Sequence, residues 1–568
     1  MFAVYFASDR SSSGKSTVTL AFSRKLKDEG YFLSLYKTGP DFIDPVILSK
    51  ALNSEIRVKN LDPFLIPDRF LKEWFFKEIS PEFGSAVNGT NAGLNFNAGE
   101  SKKAFIAESA MGLYDGNSFA VAKKFKFPVV LIMDCKKISS TMASLIYGLK
   151  NYKKGINVCG VILNNISSER HYEIIRDEIK ENISGVEVFG YIKNDENIFS
   201  IKERHLGLIV PEGEGGYKTG GWHKDAGVSG GEIRKEIKIS GFEKTVINIK
   251  DAVFKNVDFN FMVNILEKNS KDFIGLIYGK KPEYKKQTYK KYAGKNNDGN
   301  ENENSGGGKD NKDGAGCNGI SNNKIDKKAS KIKIAVAFDE AFFFYYNFNF
   351  EILKSFGAEI VFFSPLKDKM LPSGIKAVYI GGGYPEIYAA ALESNNSIKK
   401  EIYEFHKNNG IIYGECGGLM YLCEKISYKG ESYRACGIFP FEASMDKGGL
   451  SLGYRTVRLK EKSFLGEAGL TVNGHEFHYS KLLPSATHQT VVPVANEHAG
   501  STELKTAFPP EVKVSAVKTV TEYASLSAPG IWKQEGYNIL NTIGSYVHLS
   551  FYSNKIAAES FVKSAKNL

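Results

Sequence analysis

The stretch "FAVYFASDRSSSGKSTVTLAFSRKL", residues 2–26, decides the fold of the first part of the chain. An apolar run at residues 2–8 is typical of a strand, a serine-rich loop follows, and "GKST" at residues 14–17 opens a helix-prone run. In this order the loop N–H groups and the helix N-terminus attract phosphate, because both present unpaired backbone donors. Lys15 would neutralise the phosphates and Ser16 would ligate Mg²⁺. The stretch therefore predicts a P-loop nucleotide site on an α/β domain.

The loop departs from the usual P-loop pattern in its glycine content. Asp9 stands where the pattern has its first glycine, and Gly14 is the only glycine of the loop. The strand before the loop and the helix after it nevertheless favour phosphate binding over a chance match. The residues expected to contact the nucleotide are Ser12, Ser13, Gly14, Lys15, Ser16 and Thr17.

Acidic residues follow two further strand-like runs of this part. They are Asp41 and Asp44 in "YKTGPDFIDP" (36–45), and Glu108 and Asp115 in "AESAMGLYDG" (107–116). Ligands of open α/β sheets bind at the carboxyl ends of strands, and Mg²⁺ beside phosphates prefers hard oxygen ligands. Any one of these acids has a plainer interpretation as a helix cap or a solvated loop residue. As a group they predict a Mg²⁺–nucleotide site.

A second candidate site lies at "YGECGGLMYL", residues 413–422. A β-prone run meets Cys416 between glycines and then a helix-prone run, which resembles the tight turn that exposes a nucleophile above a parallel sheet. The helix N-terminus is expected to lower the thiol pKa. Gly417 and Gly383, in the glycine loop "GGGYPE" (381–386), are candidate oxyanion donors. Isolated cysteines such as Cys423 and Cys436 are interpreted as small buried apolar groups.

A cysteine nucleophile needs a base, and histidine is the usual one. The downstream candidates are His475, His478, His488, His498 and His548. His548 lies in a strand-like run near the C-terminus, and His475 lies in "GHEFHYS" (474–480). Spacing alone does not choose between these two.

Both halves of the chain alternate apolar strand-like runs with helical patterns, which predicts doubly wound α/β domains. The first half contains "FAVYFAS", "FLSLYKT", "AFIAES", "PVVLIMD", "VCGVILNN" and "VEVFGYI", and the second contains "KIAVAF", "AEIVFFS", "AVYIGGG" and "GIIYGEC". A Lys-, Asn- and Gly-rich segment at 285–330 is predicted to be a disordered linker between domains 1–284 and 331–568. Residues 211–232 and 485–536 are predicted to be loops.

Composition places the 568-residue chain among soluble globular proteins, with 42% hydrophobic and 24% charged residues. Its six cysteines show no CxxC spacing, so neither a zinc site nor a disulfide framework is expected, and a reducing cytoplasm is the expected setting. No signal peptide or membrane span is predicted. The net charge of +11 is interpreted as a lysine-rich surface; nucleic-acid binding lacks a motif, and a polyanionic small substrate is a third interpretation.

Taken together, the motifs resemble those of the cobyrinate a,c-diamide synthase family of glutamine-dependent amidotransferases. In chain order they are "GPDFIDP" (39–45), "NLDPFL" (60–65), "MGLYDG" (111–116), "GVILNNISSERHY" (160–172), "ERHLGL" (203–208), "DEAFFFYY" (339–346), "FFSPLKD" (362–368), "GGGYPEIYAAAL" (381–392), "GECGGLMYL" (414–422), "GHEFHYS" (474–480) and "SYVHLSF" (545–551). The resemblance spans nearly the whole chain apart from the linker and the loops.

This resemblance implies a dethiobiotin synthetase-like P-loop domain followed by a class I glutaminase-like domain. It implies a carbon–nitrogen ligase that uses ATP, Mg²⁺ and L-glutamine to amidate the a and c acetates of cobyrinate through acyl phosphates. By motif, Cys416 is the nucleophile and His548 its base. Ser16, Asp41 and Glu108 fall on metal positions, and Asp44 and Asp115 on substrate or acyl-phosphate positions. A cytoplasmic enzyme that binds no nucleic acid or membrane is expected, and a homodimer is compatible.

Several alternatives stay open at this point. If the chain belongs to a related branch, its substrate is hydrogenobyrinate, nickel-sirohydrochlorin or sirohaem, because the enzymes for these tetrapyrroles share the motifs. A P-loop ATPase with a non-catalytic glutaminase-like module, or a cysteine hydrolase that needs no ATP, belongs to a different class. Many class I glutaminases carry a Glu two residues after the catalytic His, whereas this chain has Ser550 there. The acid behind His548 is therefore not identified by the sequence.

Overall fold

The computed structural model describes residues 1–52, 58–79, 102–194, 241–278, 331–484, 517–525 and 528–568. The first part contains β1 (Phe2–Ala7), α1 (Lys15–Asp28), β2 (Phe32–Thr38), α2 (Ile43–Ala51), β3 (Val58–Leu61), α3 (Asp68–Ile79), β4 (Lys103–Glu108), α4 (Ser118–Phe125), β5 (Pro128–Asp134), α5 (Thr141–Asn151), β6 (Asn157–Ile166), α6 (Glu169–Asn182), β7 (Glu187–Lys193), α7 (Gly241–Val253), α8 (Phe259–Asn269) and α9 (Lys271–Tyr278).

The strands described in this part form one seven-stranded sheet in the order β3-β2-β4-β1-β5-β6-β7. All its ladders are parallel, as expected for apolar strands connected by crossover helices. The chain leaves β1 towards β2 on one side, whereas β5 to β7 lie on the other side. The loop after β1 therefore lies at the switch point of the sheet, where α/β proteins bind ligands.

The second part contains β8 (Ile332–Ala337), β9 (Phe342–Phe344), α10 (Asn347–Ser355), β10 (Ala358–Phe363), β11 (Ala377–Ile380), β12 (Gly382–Gly383), α11 (Ala389–Ser394), α12 (Asn396–Lys407), β13 (Ile411–Glu415), α13 (Gly417–Leu422), β14 (Cys423–Tyr428), β15 (Glu431–Arg434), β16 (Phe439–Ser444), β17 (Ser451–Leu459), β18 (Thr471–His478), β19 (Lys481–Pro484), β20 (Lys518–Ser525), β21 (Ala528–Ile539), β22 (Thr542–Ser545), β23 (Val547–Leu549) and α14 (Lys555–Lys566).

Its main sheet has the order β10-β8-β11-β13-β22-β21-β20-β17-β18-β23 among the described strands. The ladders from β10 to β22 are parallel, and those from β22 to β23 are antiparallel. The α/β class predicted for both parts is confirmed. The second domain differs in that an antiparallel extension follows its parallel core.

The prediction of a loop at residues 485–536 is wrong over its second half. Residues 518–525 form β20, and β21 begins at residue 528. Only some side chains of β20 are buried, so its polar face conceals the strand pattern in the sequence. The predicted loop at 211–232 and the predicted linker at 285–330 lie outside the described residues, so the domain boundaries stay predictions.

The two parts share one continuous set of buried apolar side chains, which includes Leu65 and Trp74 from the first and Tyr346 and Leu549 from the second. Hydrogen bonds that cross the boundary include Tyr454 Oη to Asp62 Oδ2 (2.5 Å), Asn473 Nδ2 to the carbonyl of Phe64 (3.0 Å) and Ser550 Oγ to the carbonyl of Leu65 (2.6 Å). The segment "NLDPFL" is thus an interface segment. Burial of its polar groups with partners fixes how the two domains meet.

Cysteine pairing and membrane spans can be assessed over the described residues. The cysteines at positions 135, 159, 416, 423 and 436 are free and buried, as expected from their spacing. No helix in the described ranges is both long and apolar enough to cross a bilayer.

Candidate active sites in the two domains

The loop after β1 is held by the neighbouring strand β6. Gly14 precedes α1 with φ 96°, and an added Cβ there would lie 2.4 Å from Asn164 Nδ2. The same amide donates to the carbonyl of Ser13 at 3.0 Å. Gly14 is therefore required both by its left-handed backbone and by the close approach of Asn164. Sequence reasoning missed Asn164, although its place at the end of the strand-like run "VCGVILNN" was a usable signal.

Lys15 lies inside the loop and is only 5% exposed. Its Nζ donates to Ser8 Oγ at 2.9 Å and to the carbonyl of Arg10 at 2.8 Å. Burial lowers the pKa of Lys15 to about 8, against the opposing charge of Glu108. The ammonium thus donates hydrogen bonds to neutral oxygens of its own loop. Phosphate oxygens are stronger acceptors and can replace them as its partners.

A cluster of polar side chains lies beside this loop at the ends of β2 and β4. Ser16 Oγ is 2.8 Å from Asp44 Oδ2 and 2.7 Å from Glu108 Oε1. Lys37 Nζ donates to the same two oxygens, at 2.5 Å and 2.6 Å. Burial lowers the pKa of Lys37, but Asp44 and Glu108 outweigh it and raise the pKa above its usual value. Lys37 therefore stays protonated.

Sequence reasoning quoted Lys37 within its motif but singled out only the acids. Of the other two predicted acids, Asp41 lies at the margin of the cluster and Asp115 makes a different contact. Asp41 Oδ2 is 3.7 Å from Lys37 Nζ, at its margin. Asp115 Oδ2 instead accepts from the Gly112 N–H at 3.1 Å.

The residues predicted to bind Mg²⁺ can be tested against their donor chemistry. No group of three or more His, Cys, Asp or Glu side chains within the described ranges is arranged as a metal site. The Ser16 hydroxyl and the Glu108 carboxylate are nevertheless adjacent hard oxygen donors beside the loop. Mg²⁺ is commonly held by one or two such groups together with phosphate oxygens and water. The pair fits a Mg²⁺ that arrives with a nucleotide.

The cysteine turn has the strained geometry expected of a nucleophile. Cys416 has φ 51° and ψ −105°, and its N–H donates to the carbonyl of Ser545 at 2.7 Å. A Cβ on Gly418 would lie 2.0 Å from the carbonyl oxygen of Ile380, so only glycine fits there. A Cβ on Gly417 would lie 3.0 Å from Gly383 N, which places the two candidate oxyanion residues side by side.

Cys416 faces a small cavity and is 5% exposed. The wall opposite is β18, where the carbonyl of Phe477 lies 3.6 Å from Cys416 Sγ. Glu386, at the end of the glycine loop, also lines the cavity, and burial raises its pKa to about 7. The motif "GHEFHYS" therefore contributes a wall of this site.

The expected lowering of the Cys416 pKa is wrong. Burial raises the pKa of the thiol above its usual value, and the nearby charge of Glu386 raises it further. A six-residue helix, α13, does not offset the loss of water around the sulfur. The thiol needs a neighbouring base to lose its proton.

His548 and His475, the two candidate bases, are paired across β23 and β18. A Cβ on Gly382 would lie 3.0 Å from His548 Nε2, so this nitrogen faces the glycine loop that adjoins Gly417. His475 is buried, and burial together with the charge of His548 lowers its pKa to about 3. Of these two histidines, His548 is the one whose ring edge, Cε1 and Nε2, lies against the glycine loop beside Cys416, so it stays the candidate base.

One aromatic side chain connects the two sites. Phe42 lies between Asp41 and Asp44 in the sequence of the first domain. Its ring centroid is 4.8 Å from that of His548 and 5.4 Å from that of Phe344, with the two phenyl rings stacked. The segment that carries Asp41 and Asp44 therefore contacts the candidate base of the glutaminase domain through the Phe42 ring.

Comparison with known proteins agrees with this arrangement over both domains. Residues 4–209 match the CobQ/CobB/MinD/ParA nucleotide binding domain, and residues 333–556 match the CobB/CobQ-like glutamine amidotransferase domain. Cobyrinate a,c-diamide synthase of Picrophilus torridus is 30% identical over 98% of this chain and 97% of its own length. The chain belongs to the cobyrinate a,c-diamide synthase family.

Two further members of this family give the same result. The enzyme of Caldanaerobacter subterraneus subsp. tengcongensis is 31% identical over 84% of this chain and 86% of its own. That of Streptococcus sanguinis is 30% identical over 82% and 84%. As a member of the family, the protein is a ligase with a nucleotide-binding domain and a glutamine amidotransferase domain.

Ser550 stands where many class I glutaminases carry an acid, and in this chain it has another role. Ser550 is buried and donates to the carbonyl of Leu65 across the domain boundary, so it helps to join the domains. The carboxylate next to His548 is instead Glu415, whose Oε2 lies 3.6 Å from His548 Nδ1. Sequence reasoning missed Glu415, although it directly precedes Cys416.

Proposed function

We propose that this protein uses ATP and glutamine to amidate the a and c acetate carboxylates of cobyrinate in cobalamin biosynthesis. The observation that carries the proposal is the contact of Phe42, in the segment that holds Asp41 and Asp44 of the nucleotide site, with His548 of the glutaminase site. Two separate activities would not require this contact between the domains. The relatives named above, which align over 84% to 97% of their length, supply the substrate.

In the glutaminase half, we assign Cys416 as nucleophile and His548 as base. His548 takes the thiol proton while Sγ attacks the carboxamide carbon of glutamine. The N–H groups of Gly417 and Gly383 would stabilise the oxyanion that forms. The C–N bond then breaks, ammonia leaves with the proton from the imidazolium, and water hydrolyses the thioester to glutamate. The raised pKa of the Cys416 thiol supports a step that requires a base.

In the synthetase half, the ATP phosphates would lie against Ser12 to Thr17, with Lys15 turned from its loop oxygens to the phosphates. A substrate carboxylate oxygen attacks the γ-phosphorus, and ADP leaves. Ammonia then attacks the acyl phosphate, phosphate leaves, and an amide forms. Mg²⁺, held by Ser16 and Glu108 with Asp41 nearby, would offset the charge on the phosphates.

Asp44 and Asp115 are assigned to the substrate side of this reaction. Lys37 forms ion pairs with Asp44 and Glu108, and its positive charge would reduce the repulsion between these two carboxylates and an anionic substrate. This role makes Lys37 part of the synthetase site, in addition to the acids that the sequence singled out.

Phe42→Ala is expected to lower the number of amides formed per glutamine hydrolysed. Its ring contacts His548 from the segment that carries Asp41 and Asp44, so removing it should open the boundary between the two sites and let ammonia escape to water. The measurement is the ratio of amide to glutamate at saturating substrates. Phe64→Ala is the matched control, because Phe64 packs at the same interface against Tyr454. An unchanged ratio in Phe42→Ala, with unchanged rates, would rule out this role.

The substrate assignment is tested by mass spectrometry of the products from a panel of tetrapyrroles. Cobyrinate, hydrogenobyrinate, nickel-sirohydrochlorin and sirohaem are each incubated with ATP, Mg²⁺ and glutamine. Two sequential amide mass shifts on cobyrinate are expected. Shifts on another member of the panel alone would transfer the proposal to that substrate, and ATP turnover without any amide would favour a P-loop ATPase with a binding module.

A further inference from the structure

Glu415 is a buried carboxylate with a set of partners that fixes its position. It is 1% exposed. Its Oε2 accepts from the Tyr379 hydroxyl at 2.7 Å, and its Oε1 accepts from the Tyr413 hydroxyl at 2.8 Å and from the Leu549 N–H at 3.0 Å. All of these partners are donors, which suits an ionised carboxylate because that group only accepts hydrogen bonds.

The imidazole of His548 lies directly beside this carboxylate. His548 is 1% exposed, and its Nδ1 has no hydrogen-bond partner among the described residues. The closest acid is Glu415, with Oε2 at 3.6 Å from Nδ1. A buried polar nitrogen without a partner is costly, and a modest rotation of the ring would close this gap. The other ring nitrogen faces the glycine loop through Gly382.

We propose that Glu415 is the positioning residue of the glutaminase, and that it replaces the acid found two residues after the histidine in many class I enzymes. Glu415 would hold the Nδ1–H tautomer of His548, so that Nε2 is free to take the thiol proton, and would stabilise the imidazolium that follows. The inference rests on the proposed function, because it assigns a role within that glutaminase site.

The position in the chain supports this role. Glu415 ends β13, and Cys416 follows at the strained turn, so the rigid strand that positions the nucleophile also positions the carboxylate. Leu549, whose N–H binds Glu415, directly follows His548. Glu415 is thus joined to the nucleophile by the chain itself and to the strand of His548 by the Leu549 N–H.

Glu415→Gln is expected to lower kcat for glutamine-dependent amidation about 100-fold or more, by analogy with the loss of the orienting acid in serine hydrolases. KM for glutamine should change little, because Glu415 faces His548 rather than the cavity. Amidation with added ammonium chloride should stay within about twofold of wild type, since it bypasses the glutaminase chemistry.

Two control variants separate charge from packing. Tyr413→Phe removes one donor to Glu415 but leaves the carboxylate, and should keep most of the glutamine-dependent activity. Ser550→Ala removes a buried hydrogen bond at the usual acid position, and should lower kcat for glutamine-dependent amidation far less than Glu415→Gln does.

The possible outcomes are distinguishable. A Glu415→Gln enzyme with near-normal kcat, or one that loses ammonia-dependent and glutamine-dependent amidation equally, would overturn the role of Glu415 and leave the proposed function standing. A larger loss of glutamine-dependent kcat in Ser550→Ala, with ammonia-dependent amidation retained, would assign the role to that position instead. A wild-type protein that hydrolyses no glutamine would overturn the proposed function and this inference together.

Discussion

Cys416→Ala is expected to abolish amidation with glutamine and to leave amidation with ammonia nearly intact. Without the sulfur no thioester forms, so the glutamine-dependent rate should fall by about 10³-fold or more. The ammonia-dependent rate should stay within about twofold, because the nucleotide site lies in the other domain and does not use the thiol. The measurement is amide formation with each amido donor at saturating ATP.

The matched control for this variant is Cys423→Ala. Cys423 is also buried, but its thiol donates to the carbonyl of Leu419 and does not face the cavity. It should therefore keep both activities. Glutamine-driven amidation that survives in Cys416→Ala would contradict the nucleophile assignment, whereas loss of both activities would indicate that the substitution disrupts the interface.

Lys15→Ala is expected to abolish amidation with either donor, by about 10³-fold or more, while glutamine hydrolysis persists at a basal rate. The ammonium of Lys15 is buried against the loop oxygens of Ser8 and Arg10, so its removal should leave the phosphates without their cation. Amide formation and glutamate release are measured in parallel. A variant that amidates at the wild-type rate would show that Lys15 does not contact the nucleotide.

Lys25 on the same helix gives the control for Lys15. It pairs with Glu29 at 2.8 Å in an i,i+4 arrangement at the surface, and such pairs contribute little. Lys25→Ala should therefore amidate as wild type does with both donors. A large loss in this control would mean that α1 tolerates no lysine change, and the Lys15 result would then report on folding.

The predicted strands, the phosphate loop and the cysteine turn agree with the structure because their signals are local. Gly14 at φ 96° and Cys416 at φ 51° each lie in a tight turn that is formed within a few residues. Apolar runs such as those of β1 and β13 identify buried strands without knowledge of their neighbours. The strand β20 was missed because its pattern is mixed, and its pairing with β17 and β21 is what stabilises it.

The pKa of Cys416 is a property that the local sequence does not predict. A helix N-terminus next to a thiol predicts a lowered pKa, but burial and the charge of Glu386 raise it. Burial depends on β18 and on the glycine loop, which come from distant parts of the chain. The sign of the shift is therefore a property of the packed site.

The sequence by itself determined the two α/β domains, the strand–loop–helix unit at Lys15, the tight turn at Cys416 and the family, because these depend on short-range backbone geometry and on ordered motifs. The tertiary structure decided which groups meet. It placed Lys37 among the acids at 2.5–2.6 Å, Phe42 against His548, and Glu415 rather than Ser550 beside the base. These contacts join residues far apart in the chain, and only the packing of strands and of the two domains brings them together.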